Sequence, residues 1–148
     1  MREPASEYYP SAFIDYRDAR GAFRNYRIMF VDGHAYPCPM AASAEKRAEE
    51  EAFVTGFERG LEGRYRAAHA RMAERIRLEY SGIDCAETPA GELLLLEGST
   101  CMAAHDMDRA RVFPYKGPPM LKLFAAFEAM LRRRSGIRAA CGPWRAAV

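Results

Sequence analysis

Gly82–Thr100, "GIDCAETPAGELLLLEGST", is the stretch on which the reading of this chain turns. Pro89-Ala90-Gly91 punctuates its middle, with a β-rich run on either side, so it reads as a hairpin. Four successive leucines, Leu93 to Leu96, read as a strand buried on both faces. That strand runs straight into Glu97 and, two residues later, into the hydroxyl of Ser99. An ionised carboxylate beside core is costly without a partner. Either the strand surfaces there, or the carboxylate is held for a metal or a substrate.

Side chains alternate along a strand, so Glu97 and Ser99 share a face. With a four-residue loop, Thr88 to Gly91, Glu87 pairs with Glu92 and Asp84 lies opposite Leu95. Asp84, Glu97 and Ser99 then project together, with Asp84 and Glu97 as diagonal neighbours roughly 7 Å apart. Two carboxylates so placed reach a common point and can bridge one or two Mg²⁺ ions, with phosphates and water completing the octahedron. One inserted residue would reverse the facing. The alternative is that Asp84 and Glu97 are the wet ends of an ordinary hairpin.

The rest of the chain supplies the layers around this hairpin. "SAFIDYR", residues 11–17, alternates like a strand. Tyr26 to Val31 is β-rich, Asp32-Gly33 is a two-residue turn signal, and His34 to Met40 returns. Pro37 and Pro39 mark that return as an edge strand. The sequence predicts a helix over 43–63, with Ser43 as N-cap, Phe53, Phe57 and Leu61 at helical spacing, and Gly63 as its stop. A second helix over 64–80 carries Tyr65, Ala68, Met72 and Ile76 on one face. "RVFPYKGPP" reads as a loop, and residues 120–134 as a helix with Met120, Phe124, Phe127 and Leu131 on one side. Residues 135–148 read as a loosely held tail. The expected class is α+β, an antiparallel sheet of hairpins packed against helices.

Composition narrows the functions. A chain of 148 residues is one domain with room for a core. Its net charge of +2 argues against nucleic acid as a partner. No apolar run approaches a membrane span, and "MREPASEYYP" has no signal-peptide core. Cys38, Cys85, Cys101 and Cys141 are far apart and form no C-x-x-C pair, which favours reduced thiols and a cytoplasmic location over zinc.

"YRIMFVDGHAYPCPMAAS", followed by "GIDCAETPAGELLLLEGSTCMAAHD", resembles the C-terminal part of the ATP-grasp superfamily, among members related to glutathione synthetase and ribosomal S6 modification-type ligases. The resemblance lies in a Y-R-[IV]-x-F-[IV]-D-G strand, a later G-[IL]-D strand, and a strand ending in Glu-x-Asn, in that order. It runs from about residue 11 to 131, so that 1–134 would be a partial ATP-grasp domain, its C-terminal lobe. What the resemblance implies is ATP and Mg²⁺ as cofactors. Asp84 and Glu97 would hold the metal, with Glu97 bridging it to ATP, and Ser99 stands where the family has Asn. Arg27 would face the phosphates and stabilise charge in transfer. The implied activity is that of a carboxylate–amine ligase, which activates a small-molecule or peptide carboxylate as an acylphosphate. The family's lysine-bearing lobe would lie upstream of Met1, so a partner polypeptide supplying it, or a homo-oligomer, is expected. The alternative is a catalytically inactive remnant acting as an interaction module, suggested by that missing lobe and by Ser99.

Other residues draw less weight. His105 and Asp106 could assist at the site or serve a loop. His34 sits beside a turn, and His69 is expected at the surface or half buried. Arg17 and Arg24 are expected as solvated charges, Lys116 as part of a plain turn or a closing loop. Arg132, Arg133 and Arg134 complement a helix C-terminus.

Overall fold

The computed structural model describes residues 12–40, 47–104 and 112–136. Four strands form one antiparallel sheet: β1 (Tyr26–Val31), β2 (His34–Cys38), β3 (Tyr80–Glu87) and β4 (Leu93–Ser99), in the spatial order β2-β1-β3-β4. Three α-helices accompany it among the described residues: α1 (Arg47–Gly56), α2 (Leu61–Ile76) and α3 (Gly117–Ser135). The α+β class read from the sequence holds.

The first hairpin follows its sequence signal closely. Asp32 (φ 55°) and Gly33 (φ 79°) both take the left-handed conformation that a two-residue turn requires, and Val31 pairs with His34. Strand β2 is the sheet edge that Pro37 foreshadowed. Parity then sorts the core into two layers. Ile28 and Phe30 of β1, with Ile83 and Cys85 of β3, pack against Phe57 and Leu61 beside α2. Met29 and Val31, with Cys38 of β2, pack against Met120, Leu123 and Met130 of α3. The central strands are covered on both faces, and Phe30 is 1% exposed. Each such side chain contributes about 1.5–3 kcal/mol by leaving water.

Several expectations change. The segment read as a strand at 11–17 forms none from residue 12 onward; its Tyr16 and the nearby Phe23 stack edge-to-face instead. The helix expected over 43–63 is two pieces: α1 ends at Gly56 and α2 starts at Leu61. The intervening turn brings Gly60 so close that a Cβ there would sit 2.9 Å from the Gly56 carbonyl oxygen. Gly63 is inside α2 rather than its stop, and the proposed cap Ser43 lies outside the described residues. Helix α2 stops at Ile76, where Arg77 turns left-handed (φ 53°).

His69 is buried, not superficial. It stacks on Phe57, and its Nδ1 lies 2.5 Å from the Glu62 carboxylate, two turns back on the same face. "PYKGPP" is not a loop: Pro114–Lys116 form a 3₁₀ turn, and Gly117-Pro118-Pro119 open α3. Proline suits a helix start, because its missing N–H has no intrahelical partner there. The expected face of α3 packs as read, with Met120 buried and Phe124 and Phe127 against the same core, widened by Leu123 and Met130, while Leu131 is exposed. The basic run at its end is spent on ion pairs: Arg133 with Asp32, Arg134 with Glu79, and Arg132 with Glu128.

Candidate functional site

The second hairpin differs from its expected register twice. Glu87 pairs with Leu93, so the turn Thr88–Glu92 holds five residues. It is closed by the Thr88 N–H donating to the Glu92 carbonyl (2.9 Å) and by Gly91 in the left-handed conformation. Then the ladder slips again between Asp84 and Cys85: Cys85 opposes Leu95, but Asp84 opposes Glu97, leaving Leu96 as a bulged extra residue. Each slip reverses the facing, so two restore it. Asp84 and Glu97 do share a face, as direct rather than diagonal neighbours. Cα atoms of directly opposed residues stand about 4.5–5.5 Å apart.

The leucines are the clearest correction. Strand β4 is the outer strand of the sheet, and Leu95 and Leu96 are exposed. Only Leu93 packs against the α2-side core. A run of four apolar residues cannot say whether its strand lies inside or at the rim of the sheet.

A polar row crosses the sheet at this level. Cys38, Arg27, Asp84 and Glu97 are successive cross-strand partners on β2, β1, β3 and β4, on the face that carries α3 further along. Arg27 donates from Nε to Asp84 Oδ1 and from Nη2 to Oδ2, both at 2.8 Å. The pair is largely shielded, with side-chain exposures of 25% and 18%. The Asp84 hydrogen bonds raise the Arg27 pKa above its ordinary value, and the nearby Glu97 carboxylate adds to this. Glu97 itself is exposed, with no ion pair among the described residues. Ser99 stands opposite Gly82, and its Oγ accepts the Cys101 N–H at 3.1 Å. Gly82 is there for space: a Cβ would meet Met102 Sδ at 2.6 Å and Met29 Sδ at 2.9 Å.

Cys38 closes the row as an inert neighbour. Burial pushes its thiol up to about 11, with Arg27 and Lys116 opposing that rise and Glu50 and Asp84 adding to it. Lys116 thus stands in the electrostatic neighbourhood of the row. It is 3% exposed, with Nζ 3.5 Å from Glu50 Oε2 and 4.7 Å from the Phe113 ring centre. Glu50 also accepts from the Tyr115 hydroxyl (2.8 Å) and from the Met40 N–H. A lysine nine-tenths buried was missed because Pro and Gly on both sides of it signal a loop. The available hint was the aromatic pair Phe113 and Tyr115 beside it, which calls for burial.

The remaining candidates fall elsewhere. Arg17 is a solvent-exposed charge paired with Asp15, and Arg24, partly exposed, pairs with Asp18 and Glu49. His34 Nδ1 lies 3.0 Å from the Asp32 carbonyl oxygen in the first turn. His105 and Asp106 lie outside the described residues. A cleft of about 440 Å³ between α1, β2 and α3, lined by Tyr36, Phe57 and Tyr115, includes none of the row.

Could these residues hold Mg²⁺? The donor set is hard oxygen on one face, and a cation, the Arg27 guanidinium, already sits on Asp84. No group of three or more His, Cys, Asp or Glu that could hold a metal occurs among the described residues. Mg²⁺ asks for only one or two carboxylates when phosphates supply the rest, so the set fits. No helix among the described residues is long and apolar enough to cross a membrane. No family model, curated protein or solved structure matches the chain.

Proposed function

We propose that this chain is an ATP-grasp carboxylate–amine ligase-like domain that binds ATP with Mg²⁺ on the Arg27–Asp84–Glu97 row. The observation that supports it is the co-facial placement of one guanidinium and two carboxylates on three adjacent strands. Phosphoryl transfer asks a protein for positioning and for charge near the γ-phosphate, not for a reactive side chain. Nothing else in the row is a nucleophile, since Cys38 is held as the neutral thiol. Bound Mg²⁺ would neutralise phosphate oxygens and draw charge from the transferring group. Asp84 and Glu97 would hold it, Ser99 would offer a weaker third oxygen, and Arg27 would orient the phosphates. The acid substrate is a small-molecule or peptide carboxylate, with a further lobe supplied by a partner polypeptide or a second copy.

A second reading, an inactive ATP-grasp remnant serving as an interaction module, draws on two observations. Ser99 already accepts a backbone hydrogen bond, and among the described residues β4 is an edge strand with Leu95 and Leu96 exposed. Isothermal titration with Mg²⁺ and ATP separates the two. Heat in the native chain that disappears in Asp84→Asn and Glu97→Gln supports the ligase reading. Absence of heat, with any upstream lobe supplied, leaves the interaction module.

A further inference from the structure

We propose that the groove between α2 and the outer strand β4 receives an extended acidic peptide, which joins the sheet edge as a new strand and pairs its carboxylates with Arg71 and Arg75. The groove encloses about 240 Å³, with Ile83 and Cys85 of β3 and Leu93 and Leu95 of β4 on one side. Arg71 and Arg75 of α2 line it from the other. Both are exposed, and among the described residues neither takes an ion pair, nor does Glu74 between them. Arg64 and Arg66, earlier on the same helix, are held by Glu87 and Glu62. Two uncompensated guanidiniums thus stand over an apolar floor.

The edge of the sheet supplies an independent observation. No strand pairs with the outer side of β4 among the described residues, so alternate N–H and C=O groups along it are open. Sheet edges are commonly blunted by proline, lysine or a bulge, and β2 carries Pro37. In β4 the bulge and Glu97 guard the far half. Residues 93–95, the half beside the groove, carry none of these devices. An added strand gains affinity from backbone hydrogen bonds and specificity from alternate side chains. Arg71 and Arg75 are one turn apart, about 6 Å along the helix. Side chains two apart on a strand repeat at roughly 6.7 Å, so acids at alternate positions match both arginines. Each guanidinium is a planar fork suited to a carboxylate. A second copy fits poorly: β4 against β4 would bring both pairs of arginines together over leucines, with Glu97 on the opposite face.

The probe is the fluorescein-labelled peptide Val-Thr-Glu-Thr-Glu-Thr-Val, matched to the 7 residues of β4 and carrying both glutamates on one face between valines. Its anisotropy should rise on titration with the native chain, and hydrogen exchange at the β4 amides should slow. The peptide with lysine for both glutamates should not bind. Nor should the one with proline for the central threonine, which keeps the charges but spoils the strand. Arg71→Ser with Arg75→Ser should weaken binding about 2- to 30-fold, the span of two exposed ion pairs. Should circular dichroism show that variant unfolded, Leu95→Glu replaces it, since an acid of the chain's own in the groove should repel the peptide. No binding to the native chain, equal binding of the lysine or proline peptide, or native affinity in the folded variant overturns the proposal. The groove lies on the α2 face and the Arg27 row on the other, so failure here leaves the Mg²⁺–ATP titration to be judged by itself.

Discussion

The two hairpins of this sheet are built alike and finish differently. The first turns in two residues, Asp32 and Gly33, pairs without interruption, and ends in an edge strand that carries proline. The second turns in five, slips at a bulge, and ends in an edge strand of four leucines, one acid and no proline. Both feed the core, but the second alone carries the bulge and the exposed acid of the candidate site. A bulge re-aims side chains at the place where pairing is interrupted. Here it brings Glu97 level with Asp84 and exposes it, while Arg27 on the well-ordered hairpin holds Asp84 in place. The regularly paired hairpin positions the guanidinium, and the bulged one presents the exposed carboxylate.

Perturbing each hairpin should break or sharpen that contrast. The largest effect belongs to the first: Phe30→Ala empties a position buried between β1 and α2 and should cost about 3–5 kcal/mol in urea unfolding. Leu95→Ala on the second should stay within about 0.5 kcal/mol, because its side chain is already half in water. If the two variants melt alike, β4 is covered in solution and the contrast fails.

Next is Gly82→Ala, at the foot of the site on β3. Its added methyl would press on Met102 Cβ at 2.9 Å, which is not the movable end of that side chain, so about 1–3 kcal/mol should be lost. Asp84→Asn should cost a comparable 1–3 kcal/mol, roughly the worth of charged hydrogen bonds in a shielded site. Glu97→Gln, exposed and unpaired, should leave the unfolding midpoint in place. A stable Asp84→Asn would mean that the Arg27 fork contributes nothing to folding.

A pH dependence is shared by both hairpins. Burial raises Cys38 on β2 to about 11 and Cys85 on β3 to about 12. The unfolded chain ionises these thiols near 8.5, so between there and about 11 it releases protons that the folded chain retains. Stability from this source is complete below that interval and falls as pH rises through it. Cys38→Ala and Cys85→Ala should flatten the decline between pH 8.5 and 11. At pH 8, iodoacetamide followed by peptide mapping should modify exposed Cys101 well ahead of Cys38 and Cys85.

How much was legible follows the same division. The Asp32-Gly33 turn and the Pro37 edge were readable because each rests on backbone chemistry that one or two residues impose. The facing of Asp84 and Glu97 came out right although its assumed register did not: an extra turn residue and the bulge each reverse parity, and they cancel. No local signal in "ELLLLEG" announces a bulge. The burial of those leucines was misread because rank in the sheet is fixed by tertiary order, not by the run itself. His69 was misjudged among arginines and alanines, although Glu62 seven residues earlier marked a polar partner on the same helical face. Lys116 was hidden by the prolines and glycine that in fact start α3.

The central proposal is that Asp84 and Glu97, level across the bulge and with Arg27 beside Asp84, are where Mg²⁺ and ATP would meet the chain. The most direct measurement is paramagnetic broadening in the ¹H–¹⁵N spectrum as traces of Mn²⁺ are added with ATP. The amides of Arg27, Asp84 and Glu97 should broaden first, while those of the Asp32-Gly33 turn, at the far end of β1, stay sharp. Broadening centred on that turn, or spread evenly over the acidic surface, would contradict the account.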